Sequence, residues 1–362
     1  MSKSNFNPKR LLQFSEDIFI KMGCGQQAAK KAAHVLLSAD LRGVDSHGVA
    51  RLSGYVRLWE AGRINTKPNI SRVHETPGTA VLDGDGGLGL VVAPAAMAIA
   101  IEKAGQCGTG WVAVKNSNHF GIAGYHAMLA LEHDMIGICM TNASPLVAPT
   151  FSTERLLGTN PIAVAIPAGG QPAFVADFAT TTAANGKLEI LQRRNEEAPI
   201  GWIQQKDGGP TTNAYAVQEG GALIPLGSDR EHGSHKGFCL GAWVDIFSGV
   251  LSGANYGPWV PPFVSFLAPA ADPVGEGIGH FLGAMRVDAF RPVEDFKAHM
   301  DHWISRFRSA AHIAGQPVVI PGDPERECAS YRAENGIPLN AKVVEDLDAV
   351  GRKMGIAFDC RQ

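Results

Sequence analysis

The chain has 362 residues, 45% hydrophobic and 19% charged, with a formal net charge of −3. That length exceeds one typical domain, and the composition excludes a disordered chain. The charge balance speaks against a basic nucleic-acid-binding face, and the densest charged run, Arg193-Arg194-Asn195-Glu196-Glu197, is mixed and reads as a solvated loop or helix end.

Met1–Arg10 is polar with no apolar region behind it, which predicts no secretory signal. Later apolar stretches are interrupted by Gly, Asn or charge short of a membrane span, so no membrane is expected and the cytoplasm is the expected compartment. Leu11, Phe14, Ile18 and Met22 recur at helical spacing over Arg10–Met22, and Gly23 and Gly25 punctuate the end. A second helix is predicted from Gln26 to about Leu41, with Ala29, Ala32, Leu36 and Ala39 as its apolar stripe. A third is expected to start at Asp45-Ser46, residue types suited to an N-cap, and to run to Ala61-Gly62.

From about Thr79 to Val287 short apolar runs alternate with Gly- and Ala-rich helical stretches. Strands are predicted at Ala80–Leu82, Trp111–Val114, Ile136–Met140, Pro161–Ile166, Phe174–Asp177 and His280–Val287. Helices are predicted over Val91–Ala104, Ile122–Glu132, Thr182–Arg193 and His235–Ser252, which makes this a mixed α/β region. Beyond Pro292, Phe296, Met300, Ile304 and Phe307 mark a helix over Val293–Ala311. Val318-Val319-Ile320 followed by Pro321-Gly322-Asp323-Pro324 reads as a strand end and turn with a helix after it, and Asn340 caps a last helix, Ala341–Met354, closed by Gly355. The expected organisation is a helical domain built from both termini (1–75 and 291–362) around a central α/β domain (76–290). The six cysteines, Cys24, Cys107, Cys139, Cys239, Cys328 and Cys360, form no CxxC pair and read as reduced structural thiols.

Gly84-Asp85-Gly86-Gly87-Leu88-Gly89 matches GxGxxG between a predicted strand and a predicted helix, where glycines let a pyrophosphate approach a helix N-terminus. The following strand, however, ends at Lys115-Asn116 and lacks the acidic residue that would hold a ribose. A tight turn needed only for backbone geometry is the competing reading.

Asp45-Ser46-His47-Gly48-Val49-Ala50-Arg51 is the most informative short run. On a capped helix His47 and Arg51, four residues apart, would share a face near free N–H groups. That arrangement suits a carboxylate, with Arg51 as the fork and His47 as proton donor or acceptor. An ordinary capped helix with both side chains in solvent fits the same spacing. Asn116-Ser117-Asn118-His119-Phe120-Gly121 follows a predicted strand, where loops commonly carry catalytic groups, though a polar turn accounts for it as well. Thr141–Pro145 and Gly158-Thr159-Asn160-Pro161 also flank strands and could be turn chemistry alone. Asp177-Phe178-Ala179-Thr180-Thr181-Thr182 ends a strand in three hydroxyls, either a polar wall for ribose or phosphate or a helix cap. Lys236, at the start of an apolar helix, runs against the helix dipole; a bound anion would explain it, and so would plain solvation. The pairs His232/His235 and His299/His302 have no ligand pattern around them, and no metal is expected.

Read together, these runs resemble the malate/L-lactate dehydrogenase family that lacks a Rossmann fold and includes ureidoglycolate, sulfolactate and diketogulonate dehydrogenases or reductases. The stretches that carry the resemblance are Asp40–Gly48, Asp83–Gly89, Asn116–Gly121, Gly158–Pro161, Asp177–Lys187, His235–Ala254, Ile278–Phe281, Pro321–Pro324 and Asn335–Leu339, in order along nearly the whole chain. The resemblance implies a non-Rossmann nicotinamide-binding α/β domain and a homodimer with the active site near the subunit interface. It implies NAD, or NADP, as cofactor and a hydride transfer between a small 2-hydroxy acid and its 2-oxo acid, of malate or lactate type. It further implies His47 or His119 as general acid/base, with Ser46, Arg51 and Thr159 near the substrate. Ser144, Asp177, Phe178, Ala179, Thr181, Lys236, Gly237, Gly322, Asp323 and Pro324 would contact the cofactor, and Gly84–Gly89 would be a structural turn. Phe178, where the family often has Met, and Asp272–Glu276 depart from the pattern and leave the substrate open. The competing readings are a reductase of a cyclic imino acid or diketogulonate on the same fold, a metal-dependent oxo-acid lyase, and a catalytically silent binding protein.

Overall fold

A computed structural model describes residues 4–361. Helices α1 (Pro8–Lys21), α2 (Gln26–Leu41) and α3 (Leu52–Glu60) open the chain. Five more, α4 (Gly89–Cys107), α5 (Ala123–Met128), α6 (Asn185–Arg194), α7 (Ser234–Asp245) and α8 (Val293–Arg308), lie among or after the strands, and α9 (Asp323–Asn335) and α10 (Ala341–Met354) end it. Asn7 starts α1 by accepting from the Lys9 and Arg10 N–H groups, with Pro8 at the first position, where its missing N–H costs nothing. Asn340 caps α10 through the Lys342 N–H, and Gly355, at a φ of 72°, closes it.

One seven-stranded sheet organises the centre. Its strands are β2 (Ser71–Glu75), β3 (Thr79–Asp83), β4 (Thr109–Ser117), β5 (Met135–Thr141), β6 (Ile162–Ile166), β7 (Phe174–Phe178) and β11 (Ile278–Arg286), in the spatial order β2-β3-β4-β11-β5-β6-β7. Only β3 and β4 run parallel, joined by α4; every other neighbouring pair is antiparallel, so the doubly wound parallel arrangement is absent. Strand β11, late in the chain, lies at the middle, with Leu282 opposite both Val112 and Cys139. Two small sheets complete the set: β1 (Ser4–Phe6) pairs with β12 (Ile337–Leu339), and β8 (Ile203–Gln204) lies between β9 (Pro210–Thr211) and β10 (Ala222–Leu223).

The apolar stripes decide the packing. Leu11, Phe14 and Ile18 of α1, Ala29, Ala32 and Leu36 of α2, and Val343, Leu347 and Val350 of α10 share one core with Phe6 and Ile337, so both ends of the chain build a single helical layer. Val92, Ala96, Met97 and Ala100 of α4 pack with α5 on one face of the sheet; Val244 of α7 joins Met140 and Phe281 on the other. Helix α8 stays apart from the terminal core, with Trp303 against Phe174 of β7. All six cysteines are free.

Four expectations change. No α-helix begins at Asp45-Ser46: residues 45–48 turn, a short 3₁₀ segment covers Val49–Arg51, and α3 starts at Leu52. The buried Asp40 carboxylate supplies the cap in their place, accepting the Val49 N–H at 2.7 Å, and it lies so close to Gly48 that a Cβ there would overlap it. Residues 318–320 form no strand, although Val175 of β7 donates to the Pro321 carbonyl at 3.0 Å. The long helix expected over His235–Ser252 is α-helical only to Asp245 and continues as a π turn over Ile246–Val250. Helix α4 is long and apolar enough to cross a membrane, against the reading that no stretch is, but its face is spent on the sheet as a core helix.

Candidate active site

Two loops face one another where the terminal helical layer meets the sheet. The first, residues 45–51, carries Ser46, His47 and Arg51; the second follows β4 and carries Asn118 and His119. The imidazoles of His47 and His119 stack, 5.6 Å apart at 17°. Ser46 Oγ lies 2.9 Å from His47 Nδ1, and the buried Tyr55 hydroxyl lies 2.7 Å from His119 Nδ1 and 3.4 Å from the His119 carbonyl. Phe263 packs on His119 at 4.4 Å and on Tyr55 at 5.2 Å, and its own N–H donates to Ser144 Oγ at 2.8 Å. Burial, with the Arg51 charge added, pushes His47 down to about 3. Burial also drives His119 well below its ordinary value, helped by His47 and Arg51. Both rings are therefore neutral at physiological pH.

The loops are braced from behind. Asn118 donates to the Gly86 and Gly87 carbonyls at 2.9 and 3.1 Å, and Arg63 donates to Asn118 Oδ1 at 3.1 Å. In the Gly84–Gly89 turn the N–H groups of Gly84, Gly86 and Gly87 are bonded to the carbonyls of Lys115, Asn116 and Gly84. That turn holds the His119 loop, and these three N–H groups are spent on it rather than left to cradle a phosphate. Below it, His280 of β11 sits between Thr141 Oγ1 (2.7 Å) and Ser117 Oγ (2.8 Å) and stacks on Phe120.

A cleft of about 560 Å³ opens beside His47, inside the usual range for small-molecule sites. Ser46, Thr159, Asp177, Phe178, Ala179 and Thr181 line it, together with Arg42, Lys187 and Glu325, which sequence reasoning missed. Asp177, open to the cleft, accepts the Gly124 N–H through Oδ2 at 2.7 Å and leaves Oδ1 without a partner among the described residues. The surrounding protein raises its carboxyl above the ordinary range; Gly124 and Arg42 oppose the shift and Glu325 adds to it. A carboxylate oxygen open to a cleft of this size fits the ribose hydroxyls of a nicotinamide nucleotide. The hydroxyls of Thr180, Thr181 and Thr182 donate to nearby backbone carbonyls and can only accept from a ligand.

The remaining expected residues lie around this cleft. Lys236 is exposed on the first turn of α7, and Gly237 packs on the backbone of Leu226, a cleft residue. Gly322 stands beside Val175, Asp323 is paired with Arg308 and Arg326, and Pro324 precedes Glu325, whose side chain reaches the cleft. Arg51 and His119 stand behind the cleft wall, and the Arg51 guanidinium is bound to Glu189 of α6 at 3.1 and 3.0 Å. Tyr55, Phe263 and Glu189 were not anticipated. Tyr55 had a signal, lying one helical turn beyond Arg51; Glu189 and Phe263 are brought in by contacts distant in sequence. Among the described residues no group of three or more His, Cys, Asp or Glu is placed to hold a metal ion.

Comparison with known proteins identifies the family and the fold. A family model described as malate/L-lactate dehydrogenase matches residues 6–348. A malate dehydrogenase of Pyrococcus abyssi is 42% identical over 96% of this chain and 94% of its own length. An L-sulfolactate dehydrogenase of Methanocaldococcus jannaschii is 36% identical over 98% of this chain and 97% of its own. The solved structure of malate dehydrogenase from Pyrococcus horikoshii superimposes with a TM-score of 0.88, at 39% identity, over 97% of this chain and 96% of that one.

Proposed function

The chain belongs to the malate/L-lactate dehydrogenase family, and we propose that its substrate pair is malate and oxaloacetate, its cofactor NAD, and its proton-transferring group His119. It is an oxidoreductase that moves a hydride between a nicotinamide cofactor and a small 2-hydroxy acid or its 2-oxo acid. Malate is favoured by the relatives of 42% and 41% identity, both named malate dehydrogenases. NAD is favoured by the Asp177 Oδ1 left open on the cleft wall, which can accept from a ribose hydroxyl.

The observation that carries the reading is the stacked His47–His119 pair, held neutral beside Arg51 at the end of a cleft with an open carboxylate oxygen. Nδ1 of His119 accepts the Gly121 N–H at 3.4 Å and faces the Tyr55 hydroxyl at 2.7 Å, and the two together orient the ring. Burial holds the Tyr55 phenol neutral, above its ordinary value. In oxidation His119 takes the hydroxyl proton; in reduction the imidazolium returns it to the developing alkoxide. Bound in this cleft, the nicotinamide ring accepts or supplies the hydride at the substrate C2. Arg51 and Ser46 would hold the substrate carboxylate, with Thr159 beside them, and its negative charge offsets Arg51 and makes protonation of the histidines easier. Ser144 supports His119 through Phe263, while Asp177–Thr181, Lys236-Gly237 and the Gly322–Pro324 turn face or flank the cofactor.

The six unpaired thiols suit the reducing cytoplasm as the compartment. The exposed side chains Trp243, Ile246, Val250 and Leu251 form an apolar strip beyond the α7 segment that carries Lys236, and a second copy of the chain covering it supports a homodimer. NADH and NADPH oxidation with oxaloacetate, pyruvate, other 2-oxo acids and a cyclic imine tests the reading. Oxaloacetate with NADH should turn over fastest, and His119→Ala should lower kcat by about 10²- to 10⁴-fold. Turnover of the imine alone, or full activity in the histidine variant, would overturn it.

A further inference from the structure

Arg51 has no free fork. Its Nε–H donates to the Ser46 carbonyl at 2.5 Å, while Nη1 and Nη2 span the two oxygens of Glu189 at 3.1 and 3.0 Å. A guanidinium grips a carboxylate with two parallel bonds through its end or through its Nε edge, and here Glu189 takes the end and Ser46 the edge. The two side chains are 15% and 21% exposed, so the pair, one layer behind the cleft wall that Ser46 and Lys187 form, is within reach of water and small anions. Helix α6 is pressed into this contact: Gly186, one turn before Glu189, lies against Ser46 and Arg51 with no room for a Cβ. Glu189 also accepts from Asn185 at 3.0 Å, and Arg193, one turn further along α6, stands 3.8 Å away.

We infer that Glu189 is a placeholder for the substrate carboxylate, giving up the end of the Arg51 fork when a 2-hydroxy or 2-oxo acid arrives and pairing with Arg193 instead. The inference rests on the reading of this cleft as a 2-hydroxy acid site. The exchange replaces one carboxylate by another on Arg51, so no partly buried charge is left unpaired at any stage. Glu189 does not touch the reacting atoms. It is a positioning residue that competes for Arg51 and weakens the binding of every substrate acid by the same factor, with no effect on the step that follows.

Steady-state kinetics of Glu189→Gln and Glu189→Asp test this. Gln keeps the side-chain oxygen that accepts from Asn185 and loses the charge; Asp keeps the charge and is too short to span the fork. Relief of a partly exposed ion pair should lower KM for the 2-oxo acid about two- to fivefold, with kcat unchanged. In an Arg51→Ala background Glu189→Gln should change nothing. Calorimetric titration of oxamate onto the NADH complex reads the same ratio without turnover. An unchanged or raised KM and oxamate dissociation constant in both variants would overturn the inference, as would an equal fall in the Arg51→Ala background. Absence of 2-oxo acid reduction by the unaltered enzyme would instead show that the underlying reading fails, and the oxamate titration would still decide whether Glu189 competes for Arg51.

Discussion

His280 joins the ends of three strands at the point where the catalytic loop leaves the sheet. Thr141 Oγ1 donates to the Gly279 carbonyl, so His280 Nδ1–H donates to Thr141, and Ser117 Oγ–H donates to Nε2. Both nitrogens of the neutral ring are satisfied in this arrangement, and burial pushes the group down to about 3. The folded value lies below the unfolded one of 6.5, so the stability that His280 contributes is fully present above pH 6.5 and is lost as pH falls toward 3. Chemical denaturation of the wild type and His280→Gln should therefore show the stability gap narrowing by about 2 kcal/mol from pH 7 to pH 5. A gap independent of pH would mean that the ring titrates in the fold as it does in the unfolded chain. His119 belongs to the same scale: Tyr55, Phe263 and, through Phe263, Ser144 leave it one orientation.

At the scale of elements, the site depends on how closely α6 meets the loop at residues 45–51. Gly186→Ala places a methyl group against Ser46 and Arg51 and forces the helix away. The expected cost is about 1–3 kcal/mol of stability, with a raised KM for the 2-oxo acid, read by thermal melts and initial rates; wild-type values in both would show that the contact is slack. Helices α1, α2 and α10 were legible in the sequence, to within two residues at each end, because apolar stripes and the Asn340 and Gly355 caps act locally. Strands β3 to β7 and β11 were legible from their short apolar runs. Strand β2 was not: all five of its residues are exposed, so burial leaves no alternation to read. The expected helix at Asp45-Ser46 failed for a non-local reason, since the cap of Val49 comes from Asp40 in the preceding helix. His47 and Arg51 still share one site, brought there by a loop rather than by helical spacing.

For the whole molecule, the terminal helical layer and the sheet each supply one wall of the cleft, and nothing local in the sequence announces the central place of β11. The exposed strip on α7 leads to an assembly prediction: light scattering after size exclusion should give the mass of two chains, and Trp243→Lys with Val250→Lys should shift it toward one. A monomer at micromolar concentration in the unaltered protein would contradict the homodimer.

The most direct test of the central claim follows the hydride itself. Malate and lactate deuterated at C2 are incubated with the enzyme and NAD, and the reduced cofactor is examined by NMR. The account predicts deuterium at C4 of the nicotinamide ring with malate, and its loss in His119→Ala. Deuterium released to water, or no reduced cofactor with either acid, would contradict it.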